Sequence, residues 1–402
     1  MGKREKNKLD EQASHLPFPL FPFDPFPLSL FVRILQISSA RALGGGERHL
    51  ADLANALDER GHEVHLALTP HSPLLEELSG LPRERICTLR LRNALDVKSA
   101  VELSRIVRQR EIEIVHAHMA RDYPLASYAA RSNKRSRLVI TRHVLFPLNR
   151  LHTFALSNVS RIIAVSQPVA RSLQQRNIFP ANKISIIPNG INLSRFNSQV
   201  RGFKREEYLK RLQIAPERLL IGTIGELNRL KGQEDFLRAA SIVARRNPQI
   251  DFVIAGRDTS RTGEHLAALK SLANELGLNN RVYFTGWLED VAPLLHALAI
   301  FVSASHTESF GLAIAEAMAS GTPVISTATE GAREIIEENT SGLLVPTSDT
   351  QALAHAMSLL IENEHERQRL AVHAHERVAE RFSLEQMVSA TEQLYEAVVR
   401  EG

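Results

Sequence analysis

Val32-Arg33-Ile34-Leu35-Gln36-Ile37-Ser38, then a glycine turn at Gly44-Gly45-Gly46, then Leu50, Leu53, Ala54 and Leu57 at helical spacing make one strand–turn–helix unit. Gly61 suits the end of that helix, and residues 64–68 start the next strand. Similar strands fall at 112–116, 138–140, 162–165 and 184–187, with helical patterns at 97–109 and 167–176. Repeated β-α-β predicts a parallel sheet covered by helices. Pro188-Asn189-Gly190 signals a turn, and an irregular polar stretch follows it. A second series then begins, with strands at 219–224, 251–255, 282–284, 300–302, 323–325 and 343–345. Its helices fall near 232–246, 262–276, 311–320 and 349–361. The expectation is an α/β protein of two domains, 32–200 and 201–385, with a last helix over 386–402 packing back on the first. Ligands in open α/β sheets sit beyond the carboxyl ends of the strands, so the cleft between two such domains is the candidate site.

A chain of 402 residues is too long for one ordinary core and agrees with two. Its 44% hydrophobic and 23% charged residues exclude a disordered chain, a collagen and a disulfide scaffold. The net charge of +4 hides an asymmetry: residues 31–200 carry 24 basic and 13 acidic side chains, residues 201–402 carry 21 and 28. The two halves therefore suit different partners. The single cysteine, Cys87, excludes an intrachain disulfide and a cysteine-based zinc site, and points to a reducing cytosol. It reads as a buried apolar residue in a short strand-like run. No run of ~18 apolar residues marks a transmembrane helix. Within residues 1–31, the stretch 16–31 interleaves Phe with Pro, which blocks a helix and a secretion signal. They read as a disordered extension, with a hydrophobic tether to a membrane or partner as the alternative.

Several motifs carry chemistry. Gly44-Gly45-Gly46-Glu47 opens a helix, where amides attract an anion and glycine admits a ligand closely. His116-Ala117-His118 ends a strand; His116 reads as a core histidine and His118 faces the cleft, joined there by His143. No carboxylate at a fitting spacing completes a metal site with them. Between Gly225 and Gly232, Arg229 and Lys231 stand where a loop could grip a diphosphate. The densest string is His306-Thr307-Glu308-Ser309-Phe310-Gly311-Leu312, running into a small-residue helix that carries Glu316. The free amides from Ser309 to Leu312, with a carboxylate at the helix mouth and another eight residues on, suit a phosphate between hydroxyl-bearing groups.

Glu308 and Glu316, Phe310-Gly311 and Ser320-Gly321-Thr322-Pro323-Val324-Ile325 resemble the family-4 retaining glycosyltransferases of the GT-B fold, the glycosyl transferases group 1. Gly44-Gly45-Gly46-Glu47, His116-Ala117-His118, Val165-Ser166, Pro188-Asn189-Gly190, Lys231-Gly232, Gly286-Trp287 and 342–345 match in the same order, so the resemblance covers about 32–400. It implies two Rossmann-like domains, the second binding a nucleotide-diphosphate-sugar and the first an acceptor. It implies that Glu316 holds the ribose, and that Glu308 with the amides of Phe310, Gly311 and Leu312 holds the donor sugar. Lys231 would neutralise the diphosphate, Gly45 and Gly46 would approach it, and His118 would contact the sugar. No metal or other cofactor is expected. The implied reaction is retaining hexosyl transfer in cell-surface polysaccharide, lipopolysaccharide or glycolipid assembly. A sugar-nucleotide epimerase and a non-catalytic nucleotide-sugar-binding relic are the alternatives.

One departure matters. The family's usual arginine is Glu226 here, in Gly225-Glu226-Leu227, and a carboxylate beside a diphosphate repels it. Arg229 is expected to supply the missing cation, with Glu226 turned away or paired to it. On the acceptor side, residues 123–200 hold eleven basic residues and no Asp or Glu. Arg131, Lys134, Arg135, Arg137 and His143 are expected to face a lipid-linked or polysaccharide acceptor or an anionic membrane surface, on the inner face of the plasma membrane. Nucleic acid is not expected, since no aromatic–basic interleaving occurs.

Overall fold

In a computed structural model, residues 31–401 are described, save 79, 147, 149, 176, 177 and 201. The extension expected over 1–31 lies outside them apart from Phe31. The first sheet has seven parallel strands: β1 (Arg33–Ser38), β2 (Glu63–Leu68), β3 (Ile86–Thr88), β4 (Ile114–Ala117), β5 (Arg137–Arg142), β6 (Val159–Ala164) and β7 (Ile184–Ile186). Their order is β3-β2-β1-β4-β5-β6-β7. The second has six: β8 (Leu219–Ile224), β9 (Ile250–Ala255), β10 (Val282–Gly286), β11 (Ile300–Ser303), β12 (Val324–Thr327) and β13 (Leu343–Val345), in the order β10-β9-β8-β11-β12-β13. The central strands are covered on both faces, so they read as unbroken apolar runs rather than alternating ones; β1 buries Ile34, Leu35 and Ile37 completely. Cys87 lies on the edge strand β3 and is half-buried rather than buried.

The chain crosses between the two sheets twice, and the crossings are tied together. Ile191 N donates to Phe382 O at 2.7 Å, and Leu384 N donates to Ile191 O at 2.9 Å. Gly190 is required there, because a Cβ would lie 2.7 Å from the Leu384 Cα and 2.8 Å from the Met387 Cβ. The helix Leu384–Arg400, capped by Ser383, then lies along the helix Gly45–Glu59. Its Met387, Val388, Leu394, Tyr395 and Val398 share one core with Ile34, Leu50, Leu53 and Leu57. The last helix is thus part of the first layer, and it holds the carboxyl ends of β1 and β4 against the cleft.

Candidate active site

The second sheet builds one wall. The helix Leu312–Ala319 starts at Gly311, whose φ of 111° puts it in the left-handed region, and no side chain caps its first amides. The turn below it is held by Gly331, where a Cβ would meet the Glu308 and Phe310 carbonyl oxygens at 2.7 Å. The Phe310 ring faces inward onto Phe382, so the residue offers the cleft only its backbone. Glu308 Oε1 accepts from Lys231 Nζ at 2.7 Å and from Ser305 Oγ at 2.7 Å. Lys231 precedes Gly232, which is left-handed (φ 62°), leaves no room for a Cβ beside Ala304 O, and starts the helix Gln233–Arg246 without a side-chain cap. The Lys231–Glu308 pair therefore stands next in sequence to two helix starts without side-chain caps, and such starts favour an anion.

The first sheet builds the facing wall. Gly44 caps the helix Gly45–Glu59, again without a side-chain cap. A Cβ on Gly45 would lie 2.5 Å from Leu312 Cδ1, and one on Gly46 would touch the His143 ring at 3.6 Å. Glu47 bends back so that its carboxylate takes the amides of Gly44 and of Glu47 itself. Burial raises its pKa, and the nearby charge of Glu226 adds to this. Arg48 Nη2 reaches Glu289 O at 2.5 Å, Arg195 pairs with Asp290 at 3.1 Å, and Ser166 Oγ donates to Ser309 O. The walls are closed on one another at this seam.

Behind Gly46 lie four histidines. His118 Nε2 donates to Gln36 Oε1 at 2.7 Å, which leaves its Nδ1 lone pair facing His143 Nε2 at 3.4 Å. Gln36 Nε2 donates to the Tyr395 hydroxyl, which lies 2.6 Å from His116 Nδ1; His116 Nε2 lies 2.7 Å from Thr141 Oγ1. The last helix therefore fixes the tautomer of His118 from behind, a recurring second-layer device. Burial holds all four imidazoles neutral: His49 falls to about 4, His116 to about 3, and His118 and His143 well below the usual value. Nitrogens of His49, His118 and His143 lie within 4.8 Å of one another, so this trio could hold a metal ion.

Some expected residues stand elsewhere. Arg229 is exposed and lines a separate cavity of about 430 Å³ with Asn228, Thr259, Ser260 and His265. Among the described residues it makes no ion pair with Glu226, whose Oε2 instead accepts from Asn228 Nδ2 at 3.4 Å. The reason is local: residues 229–231 form one tight 3-10 turn, which sends neighbouring side chains in different directions. Arg257, which follows β9, was not singled out from sequence. Its guanidinium stacks 5.1 Å over the Trp287 ring and donates to Leu43 O in the glycine loop, bridging the two walls. Glu316 lies in the seam, in a cavity of about 20 Å³ with Arg48, Asp52 and Arg195. Burial raises its carboxyl against the pull of Arg195 and Arg48. That space admits about one water, so the ribose role implied for Glu316 requires the seam to open. Arg131, Lys134, Arg135 and Arg137 precede or start β5, whereas His143 follows its carboxyl end. Six strand residues, roughly 20 Å, separate the two edges. These four cations therefore lie behind the cleft, out of reach of an acceptor at His118; only His143 of that set faces it.

Residues 43–195 match the family model for glycosyltransferase family 4, and residues 204–377 match that for glycosyl transferases group 1. A lipopolysaccharide core biosynthesis glycosyltransferase of Rhizobium meliloti is 27% identical over 356 residues, 87% of this chain and 95% of that one. A UDP-Gal:alpha-D-GlcNAc-diphosphoundecaprenol alpha-1,3-galactosyltransferase of Escherichia coli is 25% identical over 81% of this chain and 87% of its own. Anabaena HepE, solved in complex with UDP and glucose, superposes with a TM-score of 0.79 at 21% identity, covering 91% of this chain and all of that one. That likeness shows the two-sheet GT-B fold.

The histidine cluster has a testable signature. An imidazole with a depressed folded pKa binds fewer protons than it does unfolded. Its contribution to stability is therefore present above pH ~6.5 and lost as pH falls, down to about 4 for His49 and about 3 for His116. Asp52 and Asp122, both pushed up to about 6 by burial, act with the opposite sign as pH falls from 6 toward their usual 3.8. Nitrogen-15 spectra at pH 5 are expected to show His49 and His116 neutral; titration of both near pH 6.5 would contradict the buried cluster.

Proposed function

Because this chain belongs to the group 1, family-4 glycosyltransferases, we propose that it moves a hexosyl group from a nucleoside-diphosphate sugar to an acceptor with retention of anomeric configuration. The observation that carries this reading is the placing of Lys231 and Glu308 beside the uncapped starts of Gln233–Arg246 and Leu312–Ala319, opposite a glycine loop and His118. The diphosphate lies against the amides of Gly311 and Leu312 and against Lys231, between Gly45 and Gly46 on one side and Arg257 on the other. Glu308 and the backbone of Phe310 hold the sugar hydroxyls, and the Nδ1 lone pair of His118 accepts from another. Glu316 meets the ribose once the seam has opened. The C1–O bond to the diphosphate breaks while the acceptor oxygen bonds C1 on the same face. The acceptor's proton passes to the departing phosphate oxygen. Catalysis then depends on positive charge and N–H donors waiting where negative charge grows.

No step needs a metal, because Lys231, Arg257 and the helix amides supply that charge. The E. coli relative's name pairs a UDP-sugar with a lipid-diphosphate acceptor, and the Rhizobium one's name places it in lipopolysaccharide core biosynthesis. An acceptor of that kind, lipid-linked or polysaccharide, is proposed here too. No helix among the described residues is long and apolar enough to cross a membrane. Peripheral docking is proposed at exposed Tyr128 and Phe154, on two helices in contact, with Arg131 beside them bonded to Ser157. A basic residue near an anionic bilayer contributes about 1 kcal/mol.

Release of nucleoside diphosphate from the donor tests the assignment. Lys231→Ala is expected to slow it at least ~100-fold and Arg257→Ala at least ~10-fold, as for loss of a charge-stabilising donor. Arg229→Ala should stay within about threefold, as for an exposed site. Full activity in Lys231→Ala would overturn the reading, and loss in Arg229→Ala would restore it as the second cation. Chelator should leave the rate unchanged; loss that a divalent ion restores would bring the histidine trio into the mechanism. Flotation should show binding to anionic vesicles that salt and Phe154→Ser weaken; equal binding to neutral vesicles would remove the docking face.

A further inference from the structure

The carboxyl edge of the first sheet carries a second polar cavity, next to the cleft but outside the donor machinery. It has a volume of about 420 Å³ and is lined by Arg41, Thr69, Pro70, His71, Arg90 and Arg92. These residues follow β1, β2 and β3, three adjacent strands. Thr69 Oγ1 donates to Ala40 O at 3.0 Å and Leu89 N to Leu68 O at 2.8 Å, which ties the three loops together. Leu91 is buried and left-handed (φ 40°), with its amide on Ser99 Oγ. This anchor leaves Arg90 and Arg92 exposed on either side of it. His71 is also left-handed, with φ 59°. Two non-glycine residues in that region around one cavity show a backbone bent to present side chains.

The charge there is one-sided. No carboxylate lines the cavity. Among the described residues, none of the three guanidiniums has an ion pair or a side-chain hydrogen-bond partner. Asp96, whose charge reaches Arg92, is held low by the amides of Arg92 and Ser99 and caps the following helix. Three guanidiniums with only Asp96 near one of them repel one another, and a bound dianion relieves this. Arginine's planar fork suits phosphate in particular.

The cavity is also coupled to the reacting end of the cleft. Arg121, just past β4, donates to Ser39 Oγ and Ser39 O, and Ser39 N donates to Asp122. The loop after β1 is thereby fastened to the loop that carries His118. One to three strand spacings, roughly 5–15 Å, separate the cavity from the end of β4. One or two sugar rings span that gap.

We propose that Arg41, Arg90 and Arg92 form the acceptor's anion site, and that this enzyme's acceptor carries a phosphate or diphosphate group one or two sugar units from the attacking hydroxyl. This rests on the glycosyltransferase reading above and names its acceptor class. A soluble phosphosugar and a lipid diphosphate both carry such a group, and the test has an arm for each.

Calorimetry with glucose 6-phosphate, farnesyl diphosphate and neutral glucose is run on wild type, on Lys231→Ala, and on Arg41→Ala/Arg90→Ala/Arg92→Ala. One or both phosphate probes should bind wild type and Lys231→Ala alike, glucose should not bind, and the triple variant should bind at least tenfold more weakly. The probe that binds identifies the source. Wild-type affinity in the triple variant, or no binding of either probe to wild type, overturns the proposal. Thermal stabilisation by nucleotide-sugars is measured on the same proteins. Its retention in the triple variant shows that the variant is folded and its donor site intact. A phosphate site lost in the triple variant while no nucleotide-sugar stabilises wild type would keep the anion site and refute the transferase reading.

Discussion

Two helices with glycine N-caps, Gly45–Glu59 and Leu312–Ala319, touch at their starts, where the Leu312 side chain packs on Gly45. Neither end is capped by an N-cap side chain, and each presents the positive end of a helix dipole. Side-chain caps there would have satisfied the amides and closed the site; glycine leaves them open and lets the walls approach. Carboxylates occupy the space instead. Glu47 folds onto its own helix start, and Glu308 sits on Lys231. Both are where a donor's phosphate or sugar hydroxyls would compete, which links the resting arrangement to the one that turns over.

That meeting point needs two rigid supports. Gly331 sets the Glu308–Phe310 turn from below, and the last helix sets the first wall from behind. Through Tyr395, Gln36 and His116 the same helix orders the tautomer of His118. The crossing at Gly190 and Leu384 therefore bears on chemistry as well as on packing. A seam that encloses Glu316 in about 20 Å³ leaves no room for a ribose, so the donor site proposed there requires the seam to separate; motion about the two crossings would do so without disturbing either sheet.

Much of this was legible in the chain itself. Parallel strands buried on both faces leave apolar runs, so the two α/β series were visible; β3, at three residues, was short enough to read only as strand-like. Gly45, Lys231, Glu308 and Gly311 lie in local motifs that mark them in the chain, with Glu308 on Lys231 and Gly45 against Leu312. No local motif marks Arg257, because its position depends on Trp287 and Leu43, which only the fold brings near. Arg229 was misplaced because one tight turn decides where a side chain points. The basic excess of the first half was read from the carboxylate-free run of 123–200. Yet Arg131 to Arg137 lie at the far edge of the sheet, and the cations at the cleft edge come from the loops after β1 and β3. Charge counted along a sequence does not say which edge of a sheet will hold it.

The central claim is that the open helix ends bind the diphosphate of a nucleotide-sugar. Its most direct measurement is the melting temperature of the wild-type chain against a panel of UDP-, GDP- and ADP-sugars, with the free sugars alongside. Binding to the folded state alone stabilises it by RT ln(1 + [L]/Kd), about 2.7 kcal/mol at a hundredfold excess over Kd. At least one nucleotide-sugar should raise the melting temperature by several degrees while its free sugar does not. A panel in which no nucleotide-sugar shifts the transition would contradict the account.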